Sequence, residues 1–464
     1  MRRRVVVTGM GWVTPLGHDL EQVWARLLNG ESGIGPTTLF DASTFPTTFS
    51  AQIRQFDLGA FLGPAAEDHR GASRNTAFAL AAAKMAWDHA RLPYLPTSPL
   101  AEIQQSRSTA ARTTPVSPPD RAGPERPPLD PTMIGIYLGG GEGPMDFDNF
   151  VAAAVAGWDP TAAGGRGHLD TRRWARVAYE RLSPVTEFEQ DPNMAAGHIA
   201  TLFGIRGPNF NTLTACAAST QAIGEATMLI RRGDADVMVS GGTHSMLHPF
   251  GVTGFNRLTA LSTRNDSCIT ASRPFDRTRD GFVLGEGAGM LILEEYEHAR
   301  RRGATMYGEV IGYGSTADAF RITDIHEDGR GAIAAMRLAL EDAGCQPGDI
   351  HYISAHGTGT EENDKIETKA IRGVFGELAR SIPVSSIKSM MGHLIAAAGA
   401  VELITCVLAI RDQIVPPTMN YREYDPNCDL DYVPNAARRC RVVTCMSNSF
   451  GFGGQNDTLV VTKV

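Results

Sequence analysis

Short apolar runs, most of them closed by glycine, alternate with helical stretches through this 464-residue chain. Residues 5–8, 133–138, 236–240 and 350–354 are such runs, each too short for a buried helix. Residues 20–28, 74–90, 147–156, 171–181 and 331–343 place apolar side chains at helical spacing. Strands that alternate with helices imply a layered α/β fold with mainly parallel strands in mixed sheets. The order also repeats. Residues 309–314 resemble residues 5–11, and the 331–343 helix precedes the 350–354 strand as the 74–90 helix precedes the 133–138 strand. The pattern points to an internal duplication. Residues 281–294 read as a glycine-punctuated strand pair. Ten prolines between Pro93 and Pro131 exclude a helix or a central strand there and predict a long surface loop.

Composition narrows the function. With 42% hydrophobic and 20% charged residues, the chain has the composition of a soluble globular protein. A net charge of -8 argues against general nucleic-acid binding. The 7 cysteines are irregularly spaced with no C-x-x-C pair, which predicts reduced thiols in a cytoplasmic protein and no metal site. No run approaches the roughly 20 apolar residues of a membrane span. The glycines form no nucleotide-binding loop, since neither G-x-G-x-x-G after a first strand nor a Walker lysine is present.

One cysteine stands apart. Cys216 follows a short run read as a buried strand and precedes a helix over residues 217–232, closed by Gly233. Free N–H groups and the positive end of the helix dipole favour an anion at such a turn. The sequence therefore predicts a nucleophile with a lowered thiol pKa. Two histidine stretches occupy comparable turns. His356 follows the 350–354 strand and opens a Gly-Thr turn. His393 ends Lys388-Ser-Met-Met-Gly-His393, just before a small-residue helix from residue 394 to about residue 412. Sites in α/β sheets form beyond the carboxyl ends of strands, where these three residues can converge. His244 and His248 also lie near a strand end and read as structural. Glu286 and Glu294 read as surface or ion-pair groups. The basic helix 171–181 reads as a solvated face.

Thr214-Ala-Cys-Ala, His356-Gly-Thr-Gly-Thr360, Lys388-Ser-Met-Met-Gly-His393 and Asn448-Ser-Phe-Gly-Phe-Gly-Gly454 resemble, in this order, the motifs of the elongating type II β-ketoacyl-[acyl-carrier-protein] synthases, within the thiolase-like superfamily. The resemblance implies a five-layer α-β-α-β-α fold from two duplicated halves, residues 1–305 with the cysteine and residues 306–464 with the histidines and lysine. It implies a decarboxylating Claisen condensation of an acyl group on Cys216 with malonyl-acyl-carrier protein. His356 and His393 would hold the enolate oxygen, and Lys388 would orient them or add positive field. Glu367 and Asp364 match the acidic position near that lysine. Thr358 and Thr360 would meet the phosphopantetheine arm. The backbone N–H groups of Cys216 and Phe452 would form a second oxyanion hole, with Phe452 as a moving gate. No cofactor is implied, and the implied partners are an acyl-carrier protein and a second copy of the chain. Two stretches depart from the family pattern: the Pro-rich insertion at about 93–131 and the region at about 143–192. A coenzyme A-dependent thiolase-like acyltransferase and a non-catalytic partner subunit remain alternatives at this stage.

Overall fold

The computed structural model describes residues 2–101, 129–143, 145–321 and 325–464. Its first half supplies strands β1 (Val5–Val13), β2 (Ile134–Gly139), β3 (Asn209–Thr212), β4 (Val237–His244) and β5 (Gly287–Glu295). They are joined by helices α1 (Arg74–His89), α2 (Met194–Phe203) and α3 (Ala218–Arg232). The second half supplies β6 (Gly308–Ala317), β7 (Tyr352–Ser354), β8 (Val384–Ser385), β9 (Thr444–Gly451) and β10 (Gln455–Thr462). Its helices are α4 (Arg330–Ala343), α5 (Glu361–Phe375) and α6 (Ala398–Asp412). Helices outside this core include Leu20–Leu28, Phe147–Gly157 and Thr171–Arg181.

The strand order is β8-β7-β9-β10-β6-β1-β5-β4-β2-β3. Counted outward from the β1/β6 seam, the two halves have the same order and the same directions. β5 lies antiparallel between β1 and β4, and β4, β2 and β3 are parallel. β10 likewise lies antiparallel between β6 and β9, and β9, β7 and β8 are parallel. Four of the five strands in each half therefore point one way. The seam itself is only two residue pairs, Val6 with Glu309 and Val7 with Gly308.

The repeat reaches single residues. The β1/β5 ladder shifts register between Val7 and Gly9, and the β6/β10 ladder shifts between Val310 and Gly312. A Cβ on Gly9 or Gly11 would lie 2.1 or 2.3 Å from a carbonyl oxygen of α1. A Cβ on Gly312 or Gly314 would lie 2.2 or 2.1 Å from a carbonyl oxygen of α4. In each half, bare strand positions let an alanine-rich helix sit directly on the backbone.

Three apolar clusters define the layers. One buries α1 and α2 against the outer face of the first half-sheet. Another buries α4 and α5 against the outer face of the second. The third lies between the half-sheets and holds α3 and α6. The result is helix, sheet, helix pair, sheet, helix. Every residue of α6 from Ala398 to Ile410 is buried, as a helix between two sheets requires.

Some expectations need correction. Residues 281–286 do not pair as a strand; they make isolated bridges to Leu261 and His393 before β5 begins. The strand before Cys216 is an edge strand, with Asn209 and Phe210 exposed. Most of the Pro-rich stretch, residues 102–128, lies outside the described residues. Its start is packed, since Leu95 and Leu100 are buried and the Ser98 hydroxyl donates to the Leu202 carbonyl at 2.6 Å. Glu286 and Glu294 are ion-paired but wholly buried, Glu286 with Arg74 and Glu294 with Arg302. Among the described residues no helix is long and apolar enough to cross a membrane.

Candidate active site

The two central helices begin alike. A 3-10 turn over Ala215–Ala217 leads into α3, and one over Ile395–Ala397 leads into α6. Ala215 and Ile395 hold left-handed backbone, with φ of 47° and 44°. Each turn swings the chain sharply from its loop into a buried helix. One presents Cys216; the other follows directly on His393.

The Cys216 sulfur lies 3.0 Å from His393 Nε2. His393 Nδ1 accepts from the Ile395 N–H at 3.2 Å, so Nε2 carries the proton and donates toward the sulfur. The His356 ring stands edge-on to that of His393, with centroids 5.4 Å apart. The sulfur and one nitrogen of each ring all lie within 4.8 Å of one another. The Lys388 amine donates to the His356 carbonyl at 2.6 Å and lies 3.5 Å from His356 Nδ1. A cation beside Nδ1 likewise leaves the proton on Nε2. Both imidazoles are wholly buried, and burial first, then the Lys388 charge, holds them well below the usual histidine range. They are neutral N–H donors.

Cys216 departs from the sequence expectation. Burial pushes its thiol up to about 11, outweighing Lys388 and the backbone N–H groups of Phe452 and Cys216, which act in the opposite direction. The helix end and its N–H groups are in place, but Cys216 is buried at the inner end of the cavity, in one apolar cluster with Leu247, Leu261, Phe282, Leu284 and Ile395. Desolvation of an anion outweighs a dipole end. The resting group is a thiol with both N–H donors at hand.

The acidic residues divide the supporting work. Glu367, on α5, accepts from the His356 and Gly357 N–H groups, both at 2.8 Å, and fixes the turn that carries the histidine. Asp364 accepts from the Phe275 N–H at 2.7 Å and the Gly359 N–H at 3.2 Å, and faces Arg279 at 3.7 Å. The carboxylate paired with Lys388 is Glu402, on α6. Sequence reasoning missed it. The available signal was a single acidic residue in the apolar run from Ala396 to Ile410, where burial demands a cation. Burial raises Glu367 and Glu402 to about 7.

A cavity of about 250 Å³ opens onto this group. Thr358, Thr360, Phe282, Phe450 and Phe452 line it with Cys216 and both histidines. The Thr358 and Thr360 hydroxyls lie 2.9 Å apart. Phe452 is 36% exposed, in a turn whose Gly453 and Gly454 have φ of 92° and 80°. All nine residues singled out from the sequence thus fall at the cavity or directly behind it.

A cysteine and a neutral histidine at the starts of the paired central helices, with a second neutral histidine just beyond β7, in a duplicated five-layer fold, define a thiolase-like condensing enzyme. Comparison with known proteins agrees. "Beta-ketoacyl synthase, N-terminal domain" matches residues 2–104 and 129–299, and "Beta-ketoacyl synthase, C-terminal domain" matches residues 307–422. The 3-oxoacyl-[acyl-carrier-protein] synthase 2 of Coxiella burnetii is 39% identical, over 100% of this chain and 99% of its own. That of Synechocystis sp. is 40% identical, over 100% and 98%. A β-ketoacyl synthase structure from Burkholderia phymatum superposes with a TM-score of 0.81 at 30% identity, covering 100% of both chains. A type II polyketide acyl-carrier protein in complex with its ketosynthase, bound to the hexaketide, gives 0.80 at 32%, again over 100% of both chains. The chain belongs to the β-ketoacyl synthase family.

Proposed function

We propose that this enzyme joins an acyl group on Cys216 to malonyl-acyl-carrier protein, with loss of CO2, to give β-ketoacyl-acyl-carrier protein. The observation that carries the reading is the Nε2–H of His393 at 3.0 Å from the Cys216 sulfur, with His356 as a second neutral donor beside it. In the first step the sulfur attacks the carrier thioester. The backbone N–H groups of Cys216 and Phe452 hold the tetrahedral oxyanion. The carrier thiol leaves with the proton that Cys216 gives up. The malonyl thioester then places its carbonyl oxygen against the Nε2–H groups of His356 and His393. Breaking the bond to the carboxylate releases CO2 and leaves the electron pair as an enolate, its oxygen held by these donors. Lys388, behind His356, adds positive field. The enolate carbon attacks the acyl carbonyl on Cys216. The thiolate departs and regains a proton.

Thr358 and Thr360 would meet the phosphopantetheine arm, and Phe452 would swing on its glycines between the two half-reactions. Substrates carried on such an arm need no free cofactor. The solved carrier–ketosynthase complex supports a carrier protein as donor and acceptor. Among the described residues β3 has a free edge, and exposed Phe210 on it and Leu213 just after it support a second copy of the chain as partner. Residues 1–305 and 306–464 would be the two repeated units, in a cytoplasmic protein.

The test is intact-protein mass after mixing with acyl-carrier-protein thioesters of several chain lengths, followed by malonyl carrier. Acyl mass on the parent, its absence in Cys216→Ala, and β-ketoacyl carrier as product are expected. Condensation by Cys216→Ala would sink the mechanism. A parent that loads but never condenses would point to a partner subunit.

A further inference from the structure

His244 is 1% exposed, and neither ring nitrogen has a hydrogen-bond partner among the described residues. A buried polar ring left wholly unpaired is rare in folded proteins and is not explained by a structural role. Its position is. Alternate residues of β4 face opposite ways. Val237 and Val239 join the cluster under α1, and Met238 joins the one around α3 and α6. Gly242 continues the inner row: a Cβ there would lie 2.4 Å from the Ala396 carbonyl and 2.7 Å from Ser219 Cβ. His244 is one step further on the same face, at the end of the strand, toward the starts of the two central helices. The β4/β5 pairing runs unbroken from Val237 to His244, so the alternation holds to the last residue.

The surroundings make room for this ring. A Cβ on Gly141 would lie 2.1 Å from His244 Nδ1, so a side chain there would displace the ring. Gly141 continues β2, whose Gly139 packs against Ala218 and Ser219, immediately after Cys216. Glu142 follows, and its charge acts on both His244 and His248. His248 Nδ1 accepts from the Gly251 N–H at 3.2 Å, leaving Nε2 as a donor. Between the two histidines stands Leu247, and beyond them Val252, both buried in one apolar cluster with Cys216. The His244 charge also acts on His393, the ring that contacts the Cys216 sulfur, so this group stands near the reacting atom.

We propose that Glu142, His244 and His248 form a subsite for a neutral oxygen, hydroxyl or ketone, on the acyl chain held by Cys216. The inference rests on the condensing-enzyme reading and names its substrate class. Burial holds His244 down at about 4 and lowers His248 as well, so both rings are neutral and each can share a hydrogen bond with a neutral oxygen. A carboxylate would face Glu142 and is disfavoured. A plain alkyl chain would leave His244 unpaired, as it stands now. Sites built to pair a substrate hydroxyl reject the analogue without it far more strongly than an apolar pocket separates methylenes.

The experiment compares Cys216 loading rates, by intact mass, for carrier thioesters of equal length with and without a hydroxyl or keto group. The parent should load the oxygenated chain faster by about tenfold or more. His244→Leu should cut that ratio by about tenfold, and His244→Gln should restore part of it. Glu142→Ala, at an exposed position, should lower the ratio too, and serves if His244→Leu does not fold. Saturated and oxygenated chains loading equally in the parent would overturn the subsite alone, as would a ratio unchanged in His244→Leu and Glu142→Ala. Failure of every chain to load would remove the condensing-enzyme reading itself, and this inference with it.

Discussion

Lys388 and Glu402 form an ion pair sealed beneath His356, each 2% exposed or less. Two charges without water survive only as a pair. Lys388→Ala is expected to destabilise the enzyme by about 3–5 kcal/mol, because it strands a buried carboxylate. Lys388→Met with Glu402→Leu should recover most of that stability, yet release CO2 from malonyl carrier far more slowly than the parent. Denaturant unfolding read beside CO2 release separates the two roles. Normal decarboxylation in a folded double variant would show that the lysine is structural only.

The same pair sets a pH dependence. Glu402 sits at about 7, above the ordinary carboxylate value, because burial penalises its charged form. A raised acid pKa means that the folded state holds its proton more tightly than the unfolded state. The resulting stability is present at low pH and is lost as pH climbs from the ordinary carboxylate value through about 7. Lys388→Ala removes the cation that favours ionisation. Its deficit should therefore be least near roughly pH 5 and greatest near roughly pH 8, in urea titrations at both. The opposite order would contradict the assignment.

The histidines predict an absence of titration. Both are held neutral by burial and by Lys388, so lowering the pH should not convert them to cations within the usual histidine range. Malonyl decarboxylation is expected to show no histidine inflection between roughly pH 5.5 and 8. His356→Ala and His393→Ala should each slow it by about 10²- to 10³-fold, the cost of one lost oxyanion donor. Glutamine, which keeps an N–H near the same place, should retain more activity than alanine at either position. Equal loss with glutamine and alanine would mean that the ring does more than donate.

Much of this site was legible because its chemistry sits in short contiguous motifs. Cys216, His356, Lys388 and His393 each stand where a strand or turn meets a helix, and Gly357 and Gly392 flank the two histidines. What was not legible depends on distant packing. The helix end alone predicts an acidic thiol, but the apolar wall that buries it comes from Leu247, Val252, Leu261, Phe282, Leu284 and Ile395. Glu402 lies 14 positions from the lysine it pairs with, on another helix. The pairing of β1 with β6 joins residues about 300 apart, and no local pattern reports that. The split of 281–294 failed for a related reason: glycine there marks close packing on Leu394 and Leu261, not a turn between strands.

The sealed thiol has its own signature. Burial places Cys216 at about 11, so its alkylation by a small neutral reagent should accelerate steadily from roughly pH 7 to 9 with no plateau. Lys388 and the N–H groups of Cys216 and Phe452 are what oppose that rise. The Lys388→Met and Glu402→Leu pair should react more slowly than the parent at each pH. Peptide mass mapping of alkylated Cys216 reads both. A plateau below pH 8 would show that the thiolate is already favoured.

The duplication predicts that matching glycines fail alike. Gly9 and Gly312 follow matching register shifts, and a Cβ on either would lie 2.1 or 2.2 Å from a helix carbonyl. Backbone cannot swing aside as a flexible side chain can, so the helix must lift from the sheet. Gly312→Ala and Gly9→Ala should each cost about 1–3 kcal/mol through overpacking. Gly303 offers the control: it has φ of 68° and nothing within 4 Å, so alanine there meets backbone strain without a clash. Its loss should be the smaller, near about 1 kcal/mol. The α1 contact site lies in the half that holds Cys216 and the α4 contact site in the half that holds both histidines. If the central helices tie the halves into one cooperative unit, unfolding monitored at Trp12 and Trp87 should shift as far for Gly312→Ala as for Gly9→Ala. A shift confined to the half that carries the substitution would show that the repeated units unfold separately.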